Sequence, residues 1–466
     1  MICFFLLKNI ALGKEIKEIK YQLYMAGNDE QRIVLSVNPG TWLFNINNLS
    51  HQISISVLLL KTIHVSYPFH HEKADIVEPL EKQKRFFVKQ GYKLLLKIRT
   101  NSSFAPNSTI NLNLMRINKN NKVSFLEKIQ LKIHSFPVIL PSPQKYLLIQ
   151  GNLWPIPQEI SKCFGKNELE ITKEMLNLLV HQYYFNAFSG SPVRKQLYKK
   201  YLSILFKNFS PSYVRITFKM SNRKRYRKFT INEIKGVIKE IPFYPVHTLL
   251  GIKLWDEPLP ANLSQVIYDY TKAKHILKKF KTELSFGIPV ISYKLWSLID
   301  IFVVSPDSLS AFLGYIYTHP NKKILLYANR NHSDYEDARK MQFIGWTIYK
   351  YRIDGYHFWG INLWKQECGE QIINEKRCCF RRGTLLYYDL HQKRILPSLR
   401  LEMFIQGIYD CLLLKQLHNN FPSIQKTIAK VLSHITLTQG KISFTRSNFY
   451  SNDLRKLLFE ALMLQN

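Results

Sequence analysis

Between residues 31 and 137, apolar and polar positions alternate in short runs broken by turn residues. The runs 33–37, 53–60, 92–98, 110–115 and 129–133 carry the period of two that buries one face of a strand and exposes the other. Asn38-Pro39-Gly40 and Ala105-Pro106-Asn107 separate them. Strands at this spacing predict an N-terminal β-sandwich over residues 20–140. The run Phe136-Pro137-Val138-Ile139-Leu140-Pro141-Ser142-Pro143 is short of backbone donors and has several φ angles held by proline, which predicts an extended linker at its close.

The pattern then changes. Apolar runs at 146–150, 183–187, 213–220, 248–255, 284–288, 299–304, 323–329 and 355–364 alternate with longer helical stretches. Eight strand and helix pairs within about 250 residues predict a (β/α)8 TIM barrel over residues 141–390. After the fourth run, Val266, Tyr270, Ala273, Leu277 and Phe280 recur on one helical face, with Lys272, Lys274, Lys278 and Lys279 mostly off it. That face is expected to pack on the barrel wall. Helical segments at 399–417 and 424–435 predict a C-terminal extension, residues 391–466, packed on the barrel. The fold class is therefore multidomain, β followed by α/β.

Composition narrows the field. The 466 residues are 46% hydrophobic and 21% charged, values of a globular chain that argue against a disordered or fibrous one. No run approaches the ~18 consecutive apolar residues of a spanning helix, so no membrane span is expected. The apolar residues 2–7, followed by Lys8, lack a basic leader and a small-residue cleavage site; a cytoplasmic location is the default expectation, with export if the true start lies upstream. Cys3, Cys163, Cys368, Cys378, Cys379 and Cys411 match neither a disulfide framework nor a zinc-ligand spacing, and no metal or cofactor is expected.

Sixty-six Lys and Arg against 33 Asp and Glu leave a net charge of +33, which raises the question of a nucleic-acid partner. The one dense cluster is Arg223-Lys224-Arg225-Tyr226-Arg227-Lys228. Elsewhere lysines are interspersed with Asn and Ile, the distribution of a solvated surface rather than of a nucleic-acid site.

Chemistry is sought where a TIM barrel places it, at the C-terminal ends of the strands. The fourth strand ends Trp255-Asp256-Glu257-Pro258. Successive strand residues face opposite ways, so both acids serve one site only if the strand ends there and the chain bends; Pro258 restricts the backbone of Glu257. A carboxyl group near an apolar neighbour such as Trp255 and a second carboxylate is expected to have a raised pKa, suiting a general acid. The bland alternative for Asp256 and Glu257 is a structural ion pair or a helix cap. The eighth run carries Trp359, Asn362 and Trp364, rings and an amide that suit a sugar at the barrel mouth, with Phe358 and Leu363 read as core. Tyr327 and Arg339 are further candidates, and His357 is read as a satisfied core residue.

Several segments, in order and spacing, resemble glycoside hydrolase family 123 and its relatives from Gly27 to Leu417. They are Asn28-Asp29-Glu30-Gln31, residues 75–80, Leu131-Lys132-Ile133-His134-Ser135-Phe136, Trp255-Asp256-Glu257-Pro258, Ile299-Asp300-Ile301-Phe302, residues 354–364, and Ser398-Leu399-Arg400-Leu401-Glu402 with Gly407 and Asp410. The resemblance implies an exo-acting β-N-acetylgalactosaminidase working by substrate-assisted catalysis on a glycan or glycoconjugate. Asp256 would orient the 2-acetamido N–H, and Glu257 would act as acid and then base. Gln406 and Tyr409 stand where relatives usually carry Arg and Glu. The alternative is a catalytically inactive carbohydrate-binding or scaffold protein of the same fold.

Overall fold

The computed structural model describes residues 16–47, 52–64, 72–80, 85–90, 92–102, 108–120, 123–153, 156, 158–190, 195–218, 230–241, 244–287, 292–328, 338–362, 384–389, 392–438, 441–445 and 449–464. Trp364, the basic run 223–228 and every cysteine except Cys163 and Cys411 lie outside these residues.

Nine strands open the chain: β1 (Ile16–Gly27), β2 (Glu30–Ser36), β3 (Gly40–Asn47), β4 (Ile53–His64), β5 (Glu72–Pro79), β6 (Phe86–Val88), β7 (Lys93–Thr100), β8 (Ser108–Ile117) and β9 (Val123–Ile139). They form two sheets, ordered β1-β9-β8-β3-β6 and β2-β7-β4-β5. Alternate residues of both, among them Trp42, Phe44, Val57, Leu94, Leu96, Ile110 and Leu131, share one buried core, which makes the pair a sandwich. The opposite face of the second sheet is apolar as well. Leu58, Leu60, Val77 and Leu95 join the core that continues into the rest of the molecule.

The proline-rich run is less of a linker than its composition predicts, because β9 continues through Pro137 to Ile139. Pairing with β8 runs only as far as Ile133, and the pairing with β1 shifts register between Met25 and Gly27. Pro137 therefore falls where the ladder is one-sided and irregular, which spares it the missing donor.

Eight parallel strands then close into a barrel: β10 (Leu148–Asn152), β11 (Ala187–Gly190), β12 (Tyr213–Thr217), β13 (Leu249–Asp256), β14 (Lys281–Phe286), β15 (Ile301–Val304), β16 (Lys323–Leu326) and β17 (Gly355–Phe358), with β17 pairing back to β10. Helices intervene, as a TIM barrel requires. The second strand lies later than expected. Ile171, Met175, Leu176, Leu179, Val180 and Tyr183 keep the helical period, so helix α1 (Glu168–Tyr183), capped by Asn167, runs through the first residue assigned to it. Tyr184, at φ 58°, ends that helix, and the strand begins at Ala187. On helix α2 (Leu263–Ile276), Val266, Tyr270 and Ala273 are buried as the periodicity predicts.

Beyond the barrel comes a hairpin of β18 (Leu386–Asp389) and β19 (Arg394–Pro397), and then helix α3 (Leu399–Asn420). A second hairpin, β20 (Ile435–Thr438) and β21 (Lys441–Phe444), precedes helix α4 (Ser451–Met463). α3 is buried on all sides, so its polar residues need internal partners. Glu402 accepts from Arg32 Nε at 2.6 Å, Lys97 Nζ at 3.3 Å and Tyr183 Oη at 2.5 Å. Asp410 accepts from Trp346 Nε1 at 2.8 Å, Ser451 Oγ at 2.8 Å and Arg455 Nε at 2.7 Å, while Arg455 also holds Asp29. These bonds tie the sandwich, the barrel layer and both helices together. Among the described residues no helix is long and apolar enough to cross a membrane.

Candidate active site

β13 is the irregular strand of the barrel. Gly251, Ile252 and Lys253 pair with Lys281, Thr282 and Glu283 in order, then the register shifts and the next pair is Asp256 with Ser285. The bulge breaks the alternation. Lys253 and Asp256, three residues apart, meet inside the barrel, where Lys253 Nζ lies 2.5 Å from Asp256 Oδ1 and 2.5 Å from Ser285 Oγ. Leu254 and Trp255 between them belong to the core shared with the outer helices. The bulge also frees the N–H groups of Leu254 and Trp255, and the hydroxyl of Tyr270 on α2 accepts both, at 3.2 and 3.4 Å, while donating to Glu283 O at 2.6 Å.

Glu257 follows directly with φ 47°, a left-handed conformation that is uncommon outside glycine and marks a sharp turn. Its N–H donates to Ser285 O at 3.2 Å, and Pro258 after it is buried. This turn, rather than strand alternation, is how two consecutive acids reach the same end of the barrel. Asp256 and Glu257 are both exposed there.

Below the acids the barrel interior is polar on one side. Arg215 on β12 forms an ion pair with Glu283 on β14, and Glu283 also accepts from Tyr213 Oη at 2.7 Å and Gln150 Nε2 at 3.2 Å. Arg215 Nη2 donates to Asn152 Oδ1 at 2.7 Å, and Ser189 Oγ bonds the same oxygen. Gly251 permits the span from β12 to β14, since a Cβ there would stand 1.9 Å from Tyr213 Oη. Burial, followed by the charge of Glu283, pushes the Tyr213 phenol well above its ordinary range. Burial pulls the Lys253 ammonium down, opposed first by Asp256. The opposite side is lined by Ile301 and Val303 of β15 and Leu325 of β16.

The predicted residues separate on this frame. Asp256, Glu257 and Tyr327 share one electrostatic neighbourhood: burial first, then the charges of Glu257 and Asp256, raise the Tyr327 phenol, so it remains a neutral donor. Trp255 does not line the mouth. It is 4% exposed and its Nε1 donates to Asp269 Oδ2 at 2.9 Å on α2, because the bulge turns it toward the helices. Trp359 is half-buried just past β17, and Asn362 is fully buried where Ile361 N donates to Asn152 O at 3.1 Å. Trp364 lies outside the described residues. Arg339 packs its guanidinium over the Tyr450 ring at 4.3 Å. His357 is buried, its ring 5.8 Å from that of Tyr327.

Sequence reasoning missed Lys253, Ser285, Arg215 and Glu283. The signal was present as polar or charged residues at alternate strand positions, Tyr213, Arg215 and Thr217 on one strand and Glu283 and Ser285 on another, with Lys253 inside the apolar run 249–255. Conversely, several segments behind the family resemblance turn out to be structural. Asp29, Glu30, Glu402 and Asp410 build the buried ionic contacts around α3, and Asp300 accepts from Thr282 N at 2.9 Å. Gln406 bonds Arg32 N and Ser451 Oγ, each at 2.9 Å, and Tyr409 Oη meets Tyr184 Oη at 2.6 Å, so both residues belong to this packing. No group of three or more His, Cys, Asp or Glu able to hold a metal occurs among the described residues.

With the geometry in place, comparison gives the fold a reference point. A family 123 glycoside hydrolase from Clostridium perfringens, described for glycolipid glycan hydrolysis, superposes with a TM-score of 0.67 over 96% of this chain and 94% of its own, at 12% identity. The two share a fold. A β-D-glucuronidase of Dictyoglomus thermophilum (TM-score 0.32, 12% identity, 83% of this chain and 68% of its own) and one of Parabacteroides merdae (0.34, 8%, 81% and 52%) overlap more loosely. No family model matches the chain, and no curated protein matches it by sequence.

Proposed function

We propose that this protein is a glycoside hydrolase that releases terminal β-linked N-acetylhexosamine, N-acetylgalactosamine first among candidates, by substrate-assisted catalysis. The observation that carries the reading is the pair of consecutive acids, Asp256 and Glu257, at the C-terminal end of the fourth barrel strand. The bulge before them and the left-handed turn at Glu257 bring both to that end. Two neighbouring carboxyls suit a reaction in which the sugar supplies its own nucleophile, because no second protein group then has to face the first across the bond.

In this mechanism the acetamido oxygen attacks the anomeric carbon as the glycosidic bond breaks, and Glu257 gives its proton to the departing oxygen. Asp256 accepts the acetamido N–H and stabilises the positive charge on the cyclised oxazolinium. Water then attacks the anomeric carbon, Glu257 takes its proton, the ring reopens to the acetamide, and the configuration is retained. Tyr327, kept as a neutral phenol, supplies a donor to the bound sugar, and Trp359, half-buried just past β17, offers it a ring; Asn362 is fully buried and is assigned no contact with it. No cofactor enters the scheme.

Assays of nitrophenyl β-N-acetylgalactosaminide and β-N-acetylglucosaminide with wild type and Glu257→Gln test this reading. Wild type is expected to turn over at least one of them, and Glu257→Gln to lose about 10²- to 10⁴-fold, more with a sugar leaving group than with nitrophenolate, which needs less protonation. Equal turnover by the two proteins removes Glu257 from the chemistry. Saturable glycan binding without sugar release favours the inactive binding protein instead.

A further inference from the structure

The bulge in β13 does more than turn a strand end. A regular strand would send Lys253 and Asp256 to opposite faces, yet here they meet inside the barrel. Lys253 is 4% exposed, and its ammonium is shared between Asp256 Oδ1 and Ser285 Oγ, both at 2.5 Å. Asp256 has a side chain 44% exposed at the other end of the contact. One end of this ion pair is thus fixed in the barrel wall while the other reaches the mouth. Burying a lysine is costly, and a bulge that places its partner within reach offsets that cost.

We propose that Lys253 is a positioning residue that holds Asp256 as an ionised carboxylate in one orientation, ready to accept the substrate's acetamido N–H. This inference rests on the substrate-assisted reading above. An ammonium on Oδ1 restrains rotation of the carboxylate and opposes its protonation. Ser285, which pairs with Asp256 in the sheet, fixes the lysine in turn. The other charges facing Lys253 are Arg215 from β12 and Glu283 from β14, which bond each other.

The test replaces Lys253 by Met, which keeps the length of the stem, and removes the second contact with Ser285→Ala, a milder variant should Lys253→Met fold poorly. Lys253→Met is expected to lower kcat/KM for an N-acetylhexosaminide about 100-fold, the scale of a mispositioned reacting group. In an Asp256→Asn background the same change should cost under about 3-fold more, because the two residues act as a unit. The acid limb of the kcat/KM profile should move to higher pH in Lys253→Met and, less far, in Ser285→Ala. Additive losses, or an unmoved acid limb, overturn the proposal. Titration of the ¹³C-labelled Asp256 carboxyl gives a readout independent of turnover. A midpoint at higher pH in Lys253→Met supports the coupling, and an unchanged midpoint overturns it. Absent turnover by wild type would count against the glycosidase reading alone, while this titration still decides the role of Lys253.

Discussion

The carboxyl group of Glu257 lies against the backbone of Gly287: a Cβ built on that glycine would stand 3.1 Å from Glu257 Cδ. Gly287 follows β14, the strand that pairs with β13, and its carbonyl accepts from Ser305 Oγ at 3.1 Å. The proposed acid therefore rests on a surface with no side chain. Gly287→Ala is expected to displace the Glu257 carboxyl by a few tenths of an ångström and lower kcat by about 10-fold or more, with KM and thermal stability little changed. Unaltered kcat in a folded Gly287→Ala protein would show that the acid's position does not depend on this contact.

Tyr270 ties the bulge to helix α2. Its hydroxyl accepts two freed N–H groups and donates to Glu283 O, and burial pushes its phenol above the ordinary range, so it stays protonated. Tyr270→Phe leaves these buried groups without that partner and is expected to cost about 1–3 kcal/mol of stability in denaturant unfolding. Because the bulge places Asp256, activity should fall with it. A Phe variant equal to wild type in both respects would mean that the bulge holds without the hydroxyl.

Acid should loosen the junction around α3. Burial alone would raise the Glu402 carboxyl, but the charges of Lys97 and Arg32 and the hydrogen bond from Tyr183 overcome it and hold the group down at about 2, against an ordinary 4.5. A carboxyl lowered by folding stabilises above its unfolded pKa, and that stabilisation is lost as pH falls from about 4.5 toward 2. The contribution is on the order of 3 kcal/mol. Unfolding midpoints measured between pH 7 and pH 3 should drop, and Glu402→Gln, already weaker at pH 7, should show a shallower acid dependence. Parallel pH curves for the two proteins would assign the acid loss to other groups.

Much of this architecture was legible along the chain because its signals are local. The period of two in the first region, the change of pattern after the prolines and the face of Val266, Tyr270 and Ala273 each depend on neighbours within one element. Boundaries were less legible where two readings compete. Tyr183 and Phe185 are apolar enough for a strand, and only the buried face of α1 shows that the first of them ends a helix. The acids at 256 and 257 could be located at the end of a strand, but not oriented.

What the sequence by itself determined is the order of a β-sandwich followed by a closed parallel barrel and the place of the Asp-Glu pair along it. Periodicity and turn chemistry are properties of adjacent residues. Only the tertiary structure decided which side chains meet: that a bulge brings Lys253 to Asp256, that Trp255 turns outward to Asp269, and that Tyr213 reaches Glu283 past Gly251. The physical reason is that a register shift reverses the facing of every residue after it, and it is set by pairing between strands rather than by composition within one. The same holds for Asp29, Glu402 and Asp410, whose charges acquire a purpose only when a helix buried on every side draws the sandwich and the barrel around it.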